Sequence, residues 1–241
     1  MRSFLSIMLL VLCLQPSFCQ TSPYQVKGSG EIWWYGGGFS GIGISLLLRN
    51  NVRPLNSDQI QSLDIESVPA FDRFATRHFS ATARKHSNIL WLSSPALPIL
   101  LMADRNIRKD ASAIGTIMGE VLFVNTALTL MTKEIVHRPR PFMYNPDVPM
   151  SEKLKLDASL YFFSGHTSTL AAFSFATAKV WSDYHPDSRW RPAVWAGAVT
   201  LPVAVGYLRM RGGKHFLSDV AVGFVCGAAT GWLIPHFHRR R

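Results

Sequence analysis

Three stretches of this sequence hold residues whose types and spacing could do chemistry. The first runs from Lys133 through His137, Arg138 and Arg140 to Pro141. The second is Phe163-Ser164-Gly165-His166-Thr167-Ser168, and the third runs from Leu208 and Arg209 through His215 to Asp219. Lys133, Arg140 and Arg209 are cations at the ends of apolar segments. Three cations converging on one point would bind a multiply charged anion such as phosphate. Ser164 and Gly165 precede a helix-like run, and the start of a helix offers free N–H groups and the positive end of a dipole, which suits an oxyanion. His166 sits at that start. His215 and Asp219 are four residues apart, so on a helix they would share a face. A carboxylate bonded to one imidazole nitrogen sets the tautomer and leaves the other nitrogen free to attack.

Each feature also has a plain structural counterpart. Lys133 and Arg140 could be ordinary interface cations, and Ser164 only a helix cap. His215 and Asp219 could be a surface pair. Arg138, Arg211 and Lys214 read as rim charges, and His137 has no identifiable partner. His236 and His238 belong to a basic tail and read as solvated. The site reading is favoured because the other candidates occur together at the ends of apolar segments.

Those segments lie at about 32–48, 88–103, 112–132, 166–181, 193–208 and 217–235. None alternates as a strand would, and lengths of about 15 residues or more favour helix. The chain of 241 residues is long enough for a core of its own and is 48% apolar. Only 17% of it is charged, against about 25% in soluble domains. Residues 193–208 and 220–235 show almost no polar face, which a soluble helix should have. An all-α bundle of five to six transmembrane helices is therefore expected. The net charge of +10 suits membrane phosphates or an anionic substrate. No basic helix or aromatic-interleaved basic stripe points to nucleic acid.

Charge placement orients such a bundle. Arg105, Arg108 and Lys109, then Arg189 and Arg191, then Arg239, Arg240 and Arg241 occupy alternate connections. If segments two to six span, these clusters share the cytoplasmic face, and the loops 133–165 and 209–216 face outward. Residues 1–19 read as an export signal: Arg2, an apolar run from Phe4 to Leu14, and a cut before Gln20. A cleaved signal conflicts with a span at 32–48, whose Gly36-Gly37-Gly38 run also weakens a helix. That piece is either re-entrant or surface-lying, or it is the first span of a chain whose signal is not cleaved. Residues 49–87 are polar, with an amphipathic helix expected near 68–85. Cys13, Cys19 and Cys226 form no pair with metal-ligand spacing, and no disulfide framework is expected.

The three stretches resemble the tripartite signature of the type 2 phosphatidic acid phosphatase and vanadium haloperoxidase superfamily. That signature is Lys, six residues, Arg-Pro; then Pro-Ser-Gly-His; then Ser-Arg, five residues, His, three residues, Asp. Lys133, Arg140 and Pro141 match the first part, Ser164, Gly165 and His166 the second, and Arg209, His215 and Asp219 the third. Phe163 stands in place of the Pro and Leu208 in place of the Ser, which removes one hydroxyl. The resemblance implies a phosphatase-like helical domain at 88–241, following residues 20–87, with its active site at the extracytoplasmic end of a membrane bundle. It implies His215 as a nucleophile that carries the phosphoryl group, oriented by Asp219, and His166 as the proton donor to the leaving group. Lys133, Arg140 and Arg209, with Ser164 and Gly165, would hold the phosphate oxygens. It implies no metal and no cofactor, and a phosphorylated lipid or lipid diphosphate as substrate. A soluble exported acid phosphatase, a vanadium-dependent haloperoxidase and an inactive phosphate-headgroup binder are the alternatives. The sequence leaves the oligomeric state open.

Overall fold

The computed structural model describes residues 22–26, 28–50, 53–158 and 162–240. The expected export signal lies outside them. The longer helices among the described residues are α1 (Gly28–Arg49), α2 (Ala81–Leu92), α3 (Ala111–Ile135), α4 (Gly165–Tyr184), α5 (Arg191–Arg211) and α6 (Leu217–Phe237). Among the described residues the only β-type pairing is an isolated bridge between Tyr24 and Arg239. The all-α expectation holds.

α3, α5 and α6 are long and apolar enough to cross a membrane. The 25 residues of α3 reach about 37 Å, more than a hydrocarbon core of about 30 Å. The outward faces of the bundle are apolar, with Leu47, Ile99, Val203 and Val225 all exposed. Its interior is partly polar. Ser168 Oγ donates to Asn125 Oδ1 at 2.5 Å, and Asn125 Nδ2 donates to Thr169 Oγ1 at 3.4 Å. Small and polar residues inside, with apolar ones outside, are what helices packed in lipid require.

The segment expected at 88–103 is not one helix. α2 stops at Leu92, Ser93–Pro95 form a turn, and a short helix resumes at Ala96–Leu100. Pro95 and Pro98 lack the N–H that a continuous ladder would need. Upstream, the amphipathic helix expected near 68–85 is instead a 3-10 turn at Arg73–Arg77 followed by the start of α2. Ser80 sets that start, its Oγ accepting from Ala83 N at 3.2 Å.

α1 proves to be a helix of the bundle. It runs parallel to α3: Tyr35 Oη donates to the Thr116 carbonyl at 2.8 Å, and Gly38 and Gly41 pack on Phe123 and Ala127. The two helices therefore begin at the same end. That end also receives the end of α4, where Tyr184 Oη donates to Asp110 Oδ2 at 2.5 Å and His185 Nε2 lies 3.1 Å from Asp104 Oδ2. The basic residues 105–109, 189–191 and 239–240 gather there, as their alternate placement in the sequence requires.

α4 and α6 make the closest helix pair. Gly223, Gly227 and Gly231 fall four residues apart on α6. A Cβ at these positions would lie 2.7 Å from Ser164 O, 2.1 Å from Ser168 O and 2.2 Å from Ala172 O. Glycine alone lets the two backbones touch, which sets the beginning of α4 beside the beginning of α6. On its other side α4 packs Ala172, Ala176 and Val180 against Ile114, Ile117 and Val121 of α3.

Candidate active site

The ends of α3 and α5 and the starts of α4 and α6 meet at the end opposite the basic clusters. Lys133 lies in the last turn of α3. After Ile135 the chain runs through Arg138-Pro139-Arg140-Pro141. Residues before proline are pushed to extended backbone, and Arg140 has φ −63° and ψ 151°. The helix therefore ends and the chain carries Arg140 into the interior, 5% exposed. Ser164 is the N-cap of α4, its Oγ accepting from Thr167 N at 3.4 Å. It is also tied to the third stretch, since its N–H donates to the Asp219 carbonyl at 3.0 Å. Gly165 is needed for lysine approach: a Cβ there would meet Lys133 Nζ at 3.3 Å and Thr129 Cγ2 at 3.0 Å. Arg209 sits buried in the last turn of α5.

Gly213, with φ +67°, turns the chain from α5 toward His215. Its carbonyl accepts from Phe142 N at 3.1 Å, which joins this turn to the Arg140-Pro141 stretch. His215 and Asp219 are not on one helix face as expected. α6 begins only at Leu217, and Asp219 lies in its first turn, where Oδ2 accepts from Phe216 N at 2.8 Å. The same Oδ2 lies 3.7 Å from His215 Nδ1. This is ion-pair range, longer than a formed hydrogen bond. Both side chains are buried.

Burial is the first cause that holds the His215 pKa well below its ordinary 6.5, and the charges of Arg209, Arg140 and Lys133 add to it. These are the three cations that the sequence singles out, and all three act on this ring. His166 also acts on it. A neutral imidazole has a ring nitrogen that can attack, and three fixed cations beside it suit a multiply charged anion.

The structure adds residues that the sequence reading missed or placed elsewhere. Arg138 is not a rim charge. Its Nη1 donates to Asp219 Oδ1 at 2.5 Å and to Ser218 Oγ at 2.8 Å. Its Nη2 donates to Asp72 Oδ2 at 2.8 Å, and its guanidinium lies 4.1 Å over the Phe216 ring. Asp72, buried, also accepts from Ser218 N and Ser218 Oγ at 2.9 and 2.6 Å. One guanidinium thus spans two buried carboxylates. Asn88 of α2 is the other addition: its Oδ1 accepts from His166 Nε2 at 2.9 Å and from Arg209 Nη1 at 3.4 Å. Trp91 covers the His166 ring, with centroids 4.8 Å apart. Asp72 lies in the polar stretch and Asn88 in the second half of α2, where no spacing rule ties them to the motifs. His137 is exposed. Leu208 is half-buried, and Phe163 is buried. A cleft of about 530 Å³ opens beside Arg209, lined by Arg84, Lys85, Asn88 and Lys214 on one hand and by Ile89 and Leu92 on the other.

The family model of the PAP2 superfamily matches residues 114–241. The chain belongs to this family. Its fold is similar to that of a solved protein described as the first transmembrane PAP2 type phosphatidylglycerolphosphate phosphatase from Bacillus subtilis. The TM-score is 0.50 at 22% identity, over 83% of this chain and 94% of that one. No curated protein matches the chain. Three helices of this PAP2 protein are long and apolar enough to cross a membrane, and the similar solved protein is described as transmembrane.

Proposed function

We propose that this PAP2 protein is a phosphatase that hydrolyses a lipid phosphate or lipid diphosphate monoester through a phosphohistidine at His215. One observation carries the reading: a buried, neutral imidazole faces Asp219 with Nδ1 and is surrounded by Lys133, Arg140 and Arg209. Nδ1 turned to the carboxylate leaves Nε2 for the phosphorus. In the first step Nε2 attacks, the ester P–O bond breaks, and the imidazolium form of His166, stabilised by the bound anion, gives its proton to the leaving alkoxide and is left neutral. In the second step His166 takes a proton from water, the water oxygen attacks phosphorus, and the P–N bond breaks to release phosphate. Lys133, Arg140 and Arg209, with the Ser164 hydroxyl and the Gly165 N–H, stabilise the equatorial oxygens as charge develops. These fixed cations do the work that a metal does in other phosphatases, so no metal enters these steps.

The cleft supports the substrate class. Cationic and apolar residues line it together, as a lipid with an anionic headgroup requires. The positive-inside rule turns the site away from the cytoplasm. α1, parallel to α3, then has its start on the cytoplasmic side.

The test is rapid quenching into alkaline detergent during turnover of a ³²P-labelled lipid phosphate by the wild type and by His215→Asn. The wild type should hold acid-labile, base-stable label, and the variant should hold none and lose at least ~10³-fold in kcat. Label on the variant would remove His215 from the role. Wild type that binds but never turns over any lipid phosphate, diphosphate or soluble monoester would favour the headgroup binder, for which the missing hydroxyl at Leu208 is the structural support.

A further inference from the structure

At the end of the bundle farthest from His215, three ionisable groups from distant parts of the chain meet. Glu31 comes from the first turn of α1, Glu120 from within α3, and His238 from just beyond α6. Their ligand atoms all lie within 4.8 Å of one another. His238 Nε2 is 3.0 Å from Glu31 Oε2 and 3.3 Å from Glu120 Oε2. The sequence reading took His238 for a solvated tail residue, but it is 6% exposed, and Glu120 is fully buried.

We propose that Glu31, Glu120 and His238 form a binding site for a divalent transition-metal cation. Two independent features point to it. The first is the histidine tautomer. His238 Nδ1 lies 2.8 Å from the Ile234 carbonyl oxygen, which can only accept, so Nδ1 holds the ring proton. The neutral ring then directs the bare Nε2 lone pair at two carboxylates, an arrangement that only a cation between them stabilises. A ring N–H held by a backbone carbonyl is also the usual outer-shell partner of a metal-ligating histidine. The second is Glu120. Among the described residues no donor from outside the cluster reaches its buried carboxyl, which meets only the Glu31 carboxyl and the His238 ring, so two acids share one dry pocket at a cost.

A proton on Nε2 would answer the first feature only in part. Two protons, one on Nε2 and one shared by the two carboxyls, would also neutralise the cluster, and a divalent ion competes with them for the same three ligand atoms. A divalent ion neutralises both carboxylates and takes the lone pair as well. One imidazole and two carboxylates, with positions left for water, suit Zn²⁺ or Mn²⁺. The ion would clamp the start of α1 and the C-terminal tail onto α3. It joins contacts already made there, in which Gln25 N donates to the His238 carbonyl at 2.8 Å and Arg240 N to the Pro23 carbonyl at 2.9 Å. Its role is structural, since the catalytic groups lie at the other end.

The experiment uses the full chain, purified in detergent without a histidine tag and stripped with EDTA. It is equilibrated with Zn²⁺ or, separately, Mn²⁺, then desalted. Metal content is read on the desalted sample, and thermal unfolding on a sample with the metal still present. About one ion per chain should remain, and the unfolding midpoint should rise by about 5 °C or more with metal at a hundredfold excess over its Kd. Glu31→Gln and Glu120→Gln should lose both effects, and His236→Ala, on the neighbouring exposed histidine, should keep both. No retained metal and no shift in the wild type would overturn the site without reference to any variant. Retention that survives Glu120→Gln but not His236→Ala would overturn it too, by assigning the ion to the tail surface. Neither readout depends on catalysis, so the result stands apart from the proposal for His215.

Discussion

At the residue scale the candidate nucleophile depends on groups well outside its own motif. In the proposed mechanism Asp219 orients His215, and Arg138, held by Asp72, bonds Asp219 in turn. Asp72→Asn removes one anionic anchor of Arg138 while keeping its shape. A change in such an outer contact should lower kcat about ten- to hundredfold and leave KM within about twofold. Steady-state kinetics on a lipid phosphate check this, and an equal rise in KM would instead show a disturbed phosphate pocket. The His215 pKa gives a pH prediction. Because the folded value lies below the unfolded 6.5, the unfolded chain binds the extra proton first. This group's contribution to stability is therefore complete above about pH 6.5 and is lost as pH falls toward the folded pKa. For the same reason the acid limb of kcat/KM, corrected for substrate titration, should lie well below pH 6.5. Arg209→Ala removes the largest charge acting on the ring and should move that limb upward.

At the element scale the site is a consequence of how closely α4 and α6 approach. Gly227→Leu places a side chain where even a Cβ would sit 2.1 Å from the Ser168 carbonyl. Overpacking of this kind costs about 1–3 kcal/mol or more. It should lower the unfolding midpoint and the activity together, because Ser164 N and the Asp219 carbonyl would separate. Gly43→Leu is the matched control, since a Cβ there meets nothing within 4 Å, and it should change neither. The broken helix at 93–95 belongs to this scale as well. It lets α2 bring Asn88 and Trp91 to His166 while the short helix after it continues toward the far end.

At the scale of the whole molecule the basic clusters and the candidate site occupy opposite ends. Cysteine labelling tests how they sit in the cell, with Cys13, Cys19 and Cys226 first changed to Ser. Asp147 and Asp187 are both exposed, one in the site-end connection and the other between α4 and α5. An impermeant maleimide should label Asp147→Cys in intact cells and Asp187→Cys only after permeabilisation. The reverse pattern would invert the orientation and put the site inside.

Local chemistry along the chain was enough to determine much of this protein. Long apolar runs without alternation specify helices whatever surrounds them, and the bounds of α3, α5 and α6 follow those runs within a few residues. The spacing of Lys133, Arg140, Ser164, His166, Arg209, His215 and Asp219 marks the site, because each falls at a helix end that its own segment defines. Tertiary structure decided what depends on contacts between distant segments. Whether 32–48 joined the bundle turned on its glycines meeting Phe123 and Ala127. Arg138 became an inner anchor only because Asp72, far upstream, lies beside Asp219. His238 is buried because the last turn of α6 closes over Glu31 and Glu120. A charge in a sequence carries no mark of its burial or its partner, and those two quantities govern what it does.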